Sequence, residues 1–120
     1  MGDRLPMTMR HKVLLVPFPF DDFRHTKVRP ALCLTEPMSR NGHLVLAFIS
    51  SNVNVEPLPF DIILNANDPA FAPTGLKVSS VIRLHRLTTM SVSIVKYELG
   101  HIVDPTVQEV QNRLKRLFIL

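Results

Sequence analysis

At 120 residues, 46% of them apolar, the chain has the size and hydrophobic content of one globular domain, which excludes a largely disordered protein. Fourteen basic and ten acidic side chains leave a net charge of +4 and a pI near 9.7, so an anionic partner is a candidate that charge alone does not select. The single cysteine, Cys33, excludes an internal disulfide; set in an apolar run, it reads as a buried, inert thiol in a reducing cytoplasm.

The first eleven residues, MGDRLPMTMRH, lack the apolar core of a signal peptide, and no window approaches a membrane span. They read as a flexible arm, 1–11, ahead of a single domain, 12–120. Residues 12–20, KVLLVPFPF, are apolar on both faces, as in a strand buried on two sides. Pro17 and Pro19 cannot donate to a ladder, so the second half of this strand belongs at an edge, a bulge or a barrel corner.

Residues 21–28, DDFRHTKV, carry five ionisable side chains and form a charged loop. Arg29-Pro30 then opens a strand over 31–36, with Pro30 biasing Arg29 towards an extended backbone. Asn41-Gly42 signals a turn, and HLVLAFISS, 43–51, is a second strand apolar on both faces that ends in two hydroxyls.

A polar connection leads to a short strand, 59–64, and to a loop or single helical turn over 65–75. Residues 76–85, LKVSSVIRLH, alternate: Leu76, Val78, Ile82 and Leu84 on one face, Lys77, Ser79, Arg83 and His85 on the other. On a regular strand Arg83 and His85 project together, roughly 7 Å apart. SVSIVKYELGHIV continues the sheet, with Gly100 at a turn or bulge. The last segment changes period: Asp104 caps a helix, Pro105 suits its first turn, and Val107, Val110, Leu114, Leu117 and Phe118 recur at helical spacing. Lys115 and Arg116 sit at its C-terminal end, where the helix dipole favours cations. The class is mainly β, five to seven short strands in a small barrel or curled sheet closed by one terminal helix.

Signatures of phosphate-binding loops, nucleophile elbows and zinc proteases are missing. The five histidines, at 11, 25, 43, 85 and 101, have no metal-ligand spacing, so neither metal nor cofactor is expected. Asp21 and Asp22 read as a solvated turn. What remains is a loop bearing Arg24, His25, Lys27 and Arg29, a strand bearing Arg83, His85 and Arg86, and hydroxyls at Ser50 and Ser51. Cations, imidazoles and hydroxyls suit cleavage of RNA by its own 2′-OH. That reaction needs a proton acceptor, a proton for the leaving 5′-oxygen and positive charge on the phosphorane. On the residues alone, the better reading of Arg29 is a surface ion-pair partner, and that of Ser50 a strand end satisfying its own backbone.

VPFPF, eight loop residues and RPALCL resemble the PemK/MazF toxins, and the resemblance continues through LAFISS, GLKVSSVIRLHRLTTM and ELGHI to the terminal helix. It implies a Src-homology-3-like barrel of the CcdB/PemK kind with a C-terminal helix. It also implies a cytoplasmic homodimer and a metal-independent endoribonuclease cutting single-stranded mRNA at short sequences. A small cognate antitoxin would inhibit it by occupying the RNA groove. By position, the resemblance places the catalytic groups on Arg29, Ser50 and Arg83, with Arg24, His25, Lys27, Ser51, His85 and Arg86 as RNA contacts.

The chain departs from the family pattern at three places. His11-Lys12 replaces a Gly-Asp before the first strand, His85 replaces an acid two residues beyond the second arginine, and His25 replaces a loop glycine. Two other readings stay open. One is a non-catalytic RNA- or protein-binding barrel derived from this family. The other is a CcdB-like topoisomerase poison, disfavoured because the chain has no tryptophan and ends RLFIL.

Overall fold

The computed structural model describes residues 8–19, 26–53 and 56–119. Six strands, β1 (Lys12–Pro19), β2 (Thr26–Cys33), β3 (His43–Ser50), β4 (Asp61–Leu64), β5 (Ser80–Ser91) and β6 (Tyr97–His101), precede one helix, α1 (Thr106–Leu117). They form one antiparallel curled sheet in the order β4-β5-β3-β2-β1-β6. Short 3₁₀ turns occupy Ala72–Thr74 and Val92–Ile94.

The central strands bury both faces, as their unbroken apolar runs require. One face gathers Val13, Leu32, Ala47, Ile49, Ile82 and Leu84 under α1, which contributes Val107, Val110 and Leu114. The other gathers Leu14, Val16, Ala31, Cys33, Leu44 and Leu46, against which Met9, Met90 and Val95 pack. Each fully buried leucine or isoleucine here stabilises the fold by about 1.5–3 kcal/mol. Burial pushes the Cys33 thiol above its ordinary range, and its Sγ donates to the Thr35 carbonyl at 3.1 Å. It is a packing residue.

Three prolines set the limits of the ladders. In antiparallel pairs, main-chain groups point alternately to one neighbour and then to the other. The Leu34 N–H bonds the Val45 carbonyl, and Leu32 stands opposite Ala47, so the even-numbered residues of β2 address β3. The next such position is Pro30, which has no N–H, and β2–β3 pairing stops at Ala31–Phe48. On β1, the Leu15 carbonyl accepts from Lys96 on the outer side, so odd-numbered residues address β6. Pro17 and Pro19 follow in that series, and β1–β6 pairing stops at Leu15. The expected edge is there.

Several boundaries differ from the sequence expectation. β2 begins at Thr26, inside the stretch assigned to the loop, and ends at Cys33 rather than residue 36. β5 begins at Ser80, so Leu76–Ser79 precede the strand, and Val78 is exposed rather than facing the core. Its alternation is also broken. Ala47 pairs with Leu87 but Phe48 with Arg83, leaving Leu84, His85 and Arg86 without partners on β3. In this bulge Leu84 is buried and His85 and Arg86 are exposed, so the regular pairing of Arg83 with His85 does not hold. The helix N-cap is Pro105, with no side-chain cap bond, in place of Asp104; Phe118 lies past the helix end and is exposed. Gly100 does mark a bulge, where β1–β6 register shifts and a Cβ would collide with the Pro73 carbonyl oxygen.

A buried charge pair anchors the β4–β5 side. Arg83 Nε stands 2.9 Å from Asp61 Oδ1, a charge contact out of line for a hydrogen bond. The Asp61 side chain is 1% exposed and that of Arg83 19%. Asp61 Oδ2 accepts the Leu58 N–H at 2.8 Å, and Arg113 on α1 donates to the carbonyls of Pro59 and Asp61. Replacing Arg83 with methionine is expected to cost about 3–5 kcal/mol in denaturant unfolding, because Asp61 is left buried without a counter-charge. The double variant Arg83→Met/Asp61→Asn should recover part of that loss; strictly additive losses would show that the pair does not couple.

His11, where the resemblance implies a glycine, adopts φ 78°, a left-handed conformation costing a side-chain-bearing residue roughly 1–2 kcal/mol. The turn is kept by main-chain bonds: His11 N–H to Cys33 O at 2.8 Å, and Ile102 N–H to His11 O at 2.9 Å. Nearby, the Glu36 carboxylate accepts the N–H groups of Met9 and Arg10. Burial first, then the Arg10 charge, lower the His11 pKa below 6.5, whereas the Met9 N–H leads in lowering that of Glu36 below 4.5. Both groups therefore stabilise the fold above their ordinary pKa values and lose that contribution as pH falls. His11→Gly should raise unfolding free energy at neutral pH by about 0.5–1 kcal/mol. It should also remove the loss of stability that begins below about pH 6.5, leaving only the carboxylate stage. A pH series of denaturation midpoints measures both; an unchanged midpoint and slope would remove the strain argument.

Candidate active site

A cavity lies where the β2–β3 ladder ends. Two positions beyond the last pair, Ala31–Phe48, the same register carries Arg29 in the middle of β2 and Ser50 at the end of β3, no longer paired with each other. Arg29, Ser50, Ser51, Asn52, Lys77 and Ser80 line a cavity of about 510 Å³ with an apolar wall that includes Leu15, Leu76, Val78 and Leu99. This is within the usual size range of small-ligand sites. Gly75, also in the lining, has φ 73°, and a Cβ there would run into the Leu99 backbone. Close approach of the 72–75 turn to β6 shapes that side of the cavity.

The site's chemistry follows from its lining. Arg29, half-buried, is held by an extended strand just before a proline, so its guanidinium leaves the backbone in a defined direction. Ser50 Oγ accepts the Asn52 N–H at 3.1 Å. That contact uses a lone pair and leaves the hydroxyl hydrogen as a donor. Among the described residues, two cations and no carboxylate line the cavity, an arrangement that favours an anion.

The residues singled out in the sequence do not all come together. Arg29, Ser50 and Ser51 meet in the cavity. Arg83 does not line it and is turned to Asp61. His85 and Arg86 stand exposed on the β5 bulge, with the Arg86 guanidinium 4.8 Å from the centre of the Phe48 ring, itself part of the lining. Lys27 is exposed on β2 opposite Phe18, and Arg24 and His25 lie outside the described residues. His43 Nδ1 meets Ser39 Oγ at 2.9 Å across the 39–42 turn, a local contact remote from this lining. Asn52 and Lys77 were missed. Asn52 sits in a polar connection without a motif, and Lys77 looked like one position of an alternating strand.

A family model for PemK-like, MazF-like toxins of type II toxin–antitoxin systems matches residues 9–118. Among solved structures, the Mycobacterium tuberculosis toxin MazF-mt6 superposes with a TM-score of 0.68 at 18% identity, over 91% of this chain and 97% of that one. An endoribonuclease in complex with its cognate antitoxin, from a mycobacterial species, gives a TM-score of 0.70 at 12% identity, over 95% and 97%. A further mycobacterial endoribonuclease gives 0.67 at 12% identity, over 98% and 97%. Among curated proteins, none matches. With nearly its whole length matched, the chain belongs to the PemK-like, MazF-like toxins of type II toxin–antitoxin systems.

Proposed function

We propose that this toxin is an endoribonuclease that cleaves single-stranded mRNA at short sequences, using the RNA's own 2′-hydroxyl as nucleophile and no metal. The observation that carries the reading is the joint presence of Arg29 and Ser50 in one cation-lined cavity. In the reaction the 2′-oxygen bonds to the adjacent phosphorus, loses its proton, and the bond to the 5′-oxygen breaks as that oxygen takes up a proton. The products are a 2′,3′-cyclic phosphate and a 5′-hydroxyl. Arg29 neutralises the charge that builds on the phosphorane, and Ser50 donates to one of its oxygens. Neither group has to change protonation state.

Lys27, Ser51, Arg24, His25, His85 and Arg86 serve as RNA contacts in this scheme, and Arg83 acts by fixing β5 through Asp61. The active form is a cytoplasmic homodimer, and a small antitoxin silences it by occupying the same groove. The antitoxin is supported by the solved neighbour in complex with its own. Among the described residues, no helix is long and apolar enough to cross a membrane.

Inducible expression in bacteria with RNA profiling, beside cleavage of single-stranded RNA in chelator by purified protein, tests the reading. Wild type should arrest growth and leave cyclic phosphate ends at defined sequences. Arg29→Ala and Ser50→Ala should each lower the cleavage rate by about 10²–10³-fold, the usual loss on removing one preorganised donor. Cleavage that persists in Arg29→Ala would remove the mechanism. RNA binding without scission at any pH would leave a non-catalytic barrel.

A further inference from the structure

The β5 bulge presents a cation in an unusual setting. Of its three residues, Leu84 goes to the core while His85 and Arg86 are exposed. The Arg86 guanidinium lies over the Phe48 ring, 4.8 Å from the centroid. That ring is itself fixed, 8% exposed and edge-on to Phe18 at 5.2 Å with planes 73° apart. Phe48 precedes Ser50 by two residues on the same strand face and lines the same cavity. Phe18, Phe48 and Arg86 thus form a series of contacts beside the candidate active site, with an arginine as its outermost member.

An arginine held in this way differs from a surface charge. Its planar guanidinium can stack on a further ring, and its charge already sits over Phe48. Pinning it to Phe48 removes rotamer freedom before any ligand arrives, so less is lost on binding. No carboxylate is paired with Arg86 among the described residues. Unpaired bases of single-stranded RNA are commonly held by stacking on aromatic rings and arginine planes. A paired or stacked helical strand offers no such face.

We infer that Arg86, backed by Phe48, is a stacking platform for one unpaired nucleobase flanking the cut, and so determines preference at that position rather than taking part in bond breaking. This rests on the endoribonuclease reading and assigns Arg86 a role distinct from a phosphate contact. The two roles separate on conservative substitution. Lysine keeps the charge and loses the plane.

The test uses the intact protein and a single-stranded oligonucleotide bearing the sequence that wild type cuts, with a 2′-O-methyl group at the cut for binding measurements. Arg86→Ala and Arg86→Lys are compared with wild type after unchanged unfolding midpoints show both folded. Both variants should raise KM by about 5- to 100-fold, the range for loss of one stacked base, with kcat within about threefold. Arg86→Lys should keep the wild-type salt dependence of binding. Scanning an abasic nucleotide along the oligonucleotide should reveal one position whose loss weakens wild type but not Arg86→Lys.

Full activity in Arg86→Lys, with a salt slope reduced by about 0.7 in Arg86→Ala, would assign a phosphate contact and overturn the platform. A loss confined to kcat in both variants would overturn it in favour of a part in the chemistry. Wild type that neither binds nor cuts RNA would overturn the endoribonuclease reading itself, a result distinct from variants that match an active wild type.

Discussion

One missing hydrogen-bond donor organises this molecule. Pro30 occupies the next position at which β2 would bond β3, and the ladder ends one residue short of it. Had residue 30 carried an N–H, the register would run on to Arg29 opposite Ser50 and close the space between the strands. The proline opens that space, and it also holds the preceding arginine in extended backbone. A single residue therefore makes the cavity and aims its principal cation. Pro17 and Pro19 act in the same way on the outer side of β1, limiting β6 to the first half of that strand. Such edges are otherwise open to further strand pairing.

Arginines in this chain take different roles because their surroundings differ. Arg83 faces a carboxylate that is almost wholly buried, and its charge is committed to holding β4 to β5. Arg113 reaches from α1 to two carbonyls at the start of β4, tying the helix to the same corner. Arg86, three residues from Arg83, has a ring beneath it in place of an acid. The bulge separates the two: without the extra residues, β5 would not turn Leu84 inward and still leave Arg86 at the surface. Rigid support on one side and an available charge on the other is the arrangement expected of a binding element carried on a fixed frame.

Much of the frame was legible in the sequence because it depends on local rules. Apolar runs marked strands buried on two faces, the prolines marked an edge, Asn41-Gly42 marked a turn, and helical spacing marked α1. Arg29 and Ser50 were singled out through the order and spacing of the motifs that carry the family resemblance, and both line the cavity. What stayed hidden depends on partners distant in sequence. Nothing in VIRLHRL shows that three residues lack a mate on β3, since a bulge is defined by the opposite strand. Val78 looks apolar and alternating, yet the strand starts after it. Lys77 reaches the cavity from the loop after Gly75, which packs on Leu99, and Asn52 from the polar connection after β3. Asp104 had the chemistry of a cap but not its position.

At 12–18% identity to the solved structures it resembles, the chain keeps their fold while few side chains are shared. The turn before β1 shows how. The resemblance implies a glycine there and this chain has histidine, and the backbone still adopts φ 78°. Two main-chain bonds, to Cys33 and Ile102, hold the turn at each side, and the Glu36 carboxylate gathers the N–H groups just ahead of it. Together these bonds are worth more than the roughly 1–2 kcal/mol of strain, at about 1 kcal/mol for each neutral bond and more for those to a carboxylate. In this chain the requirement of the turn is met by backbone: neighbouring main-chain bonds offset the strain that a side chain brings. Pro30 is a different case, since no neighbouring bond can substitute for an N–H that is absent.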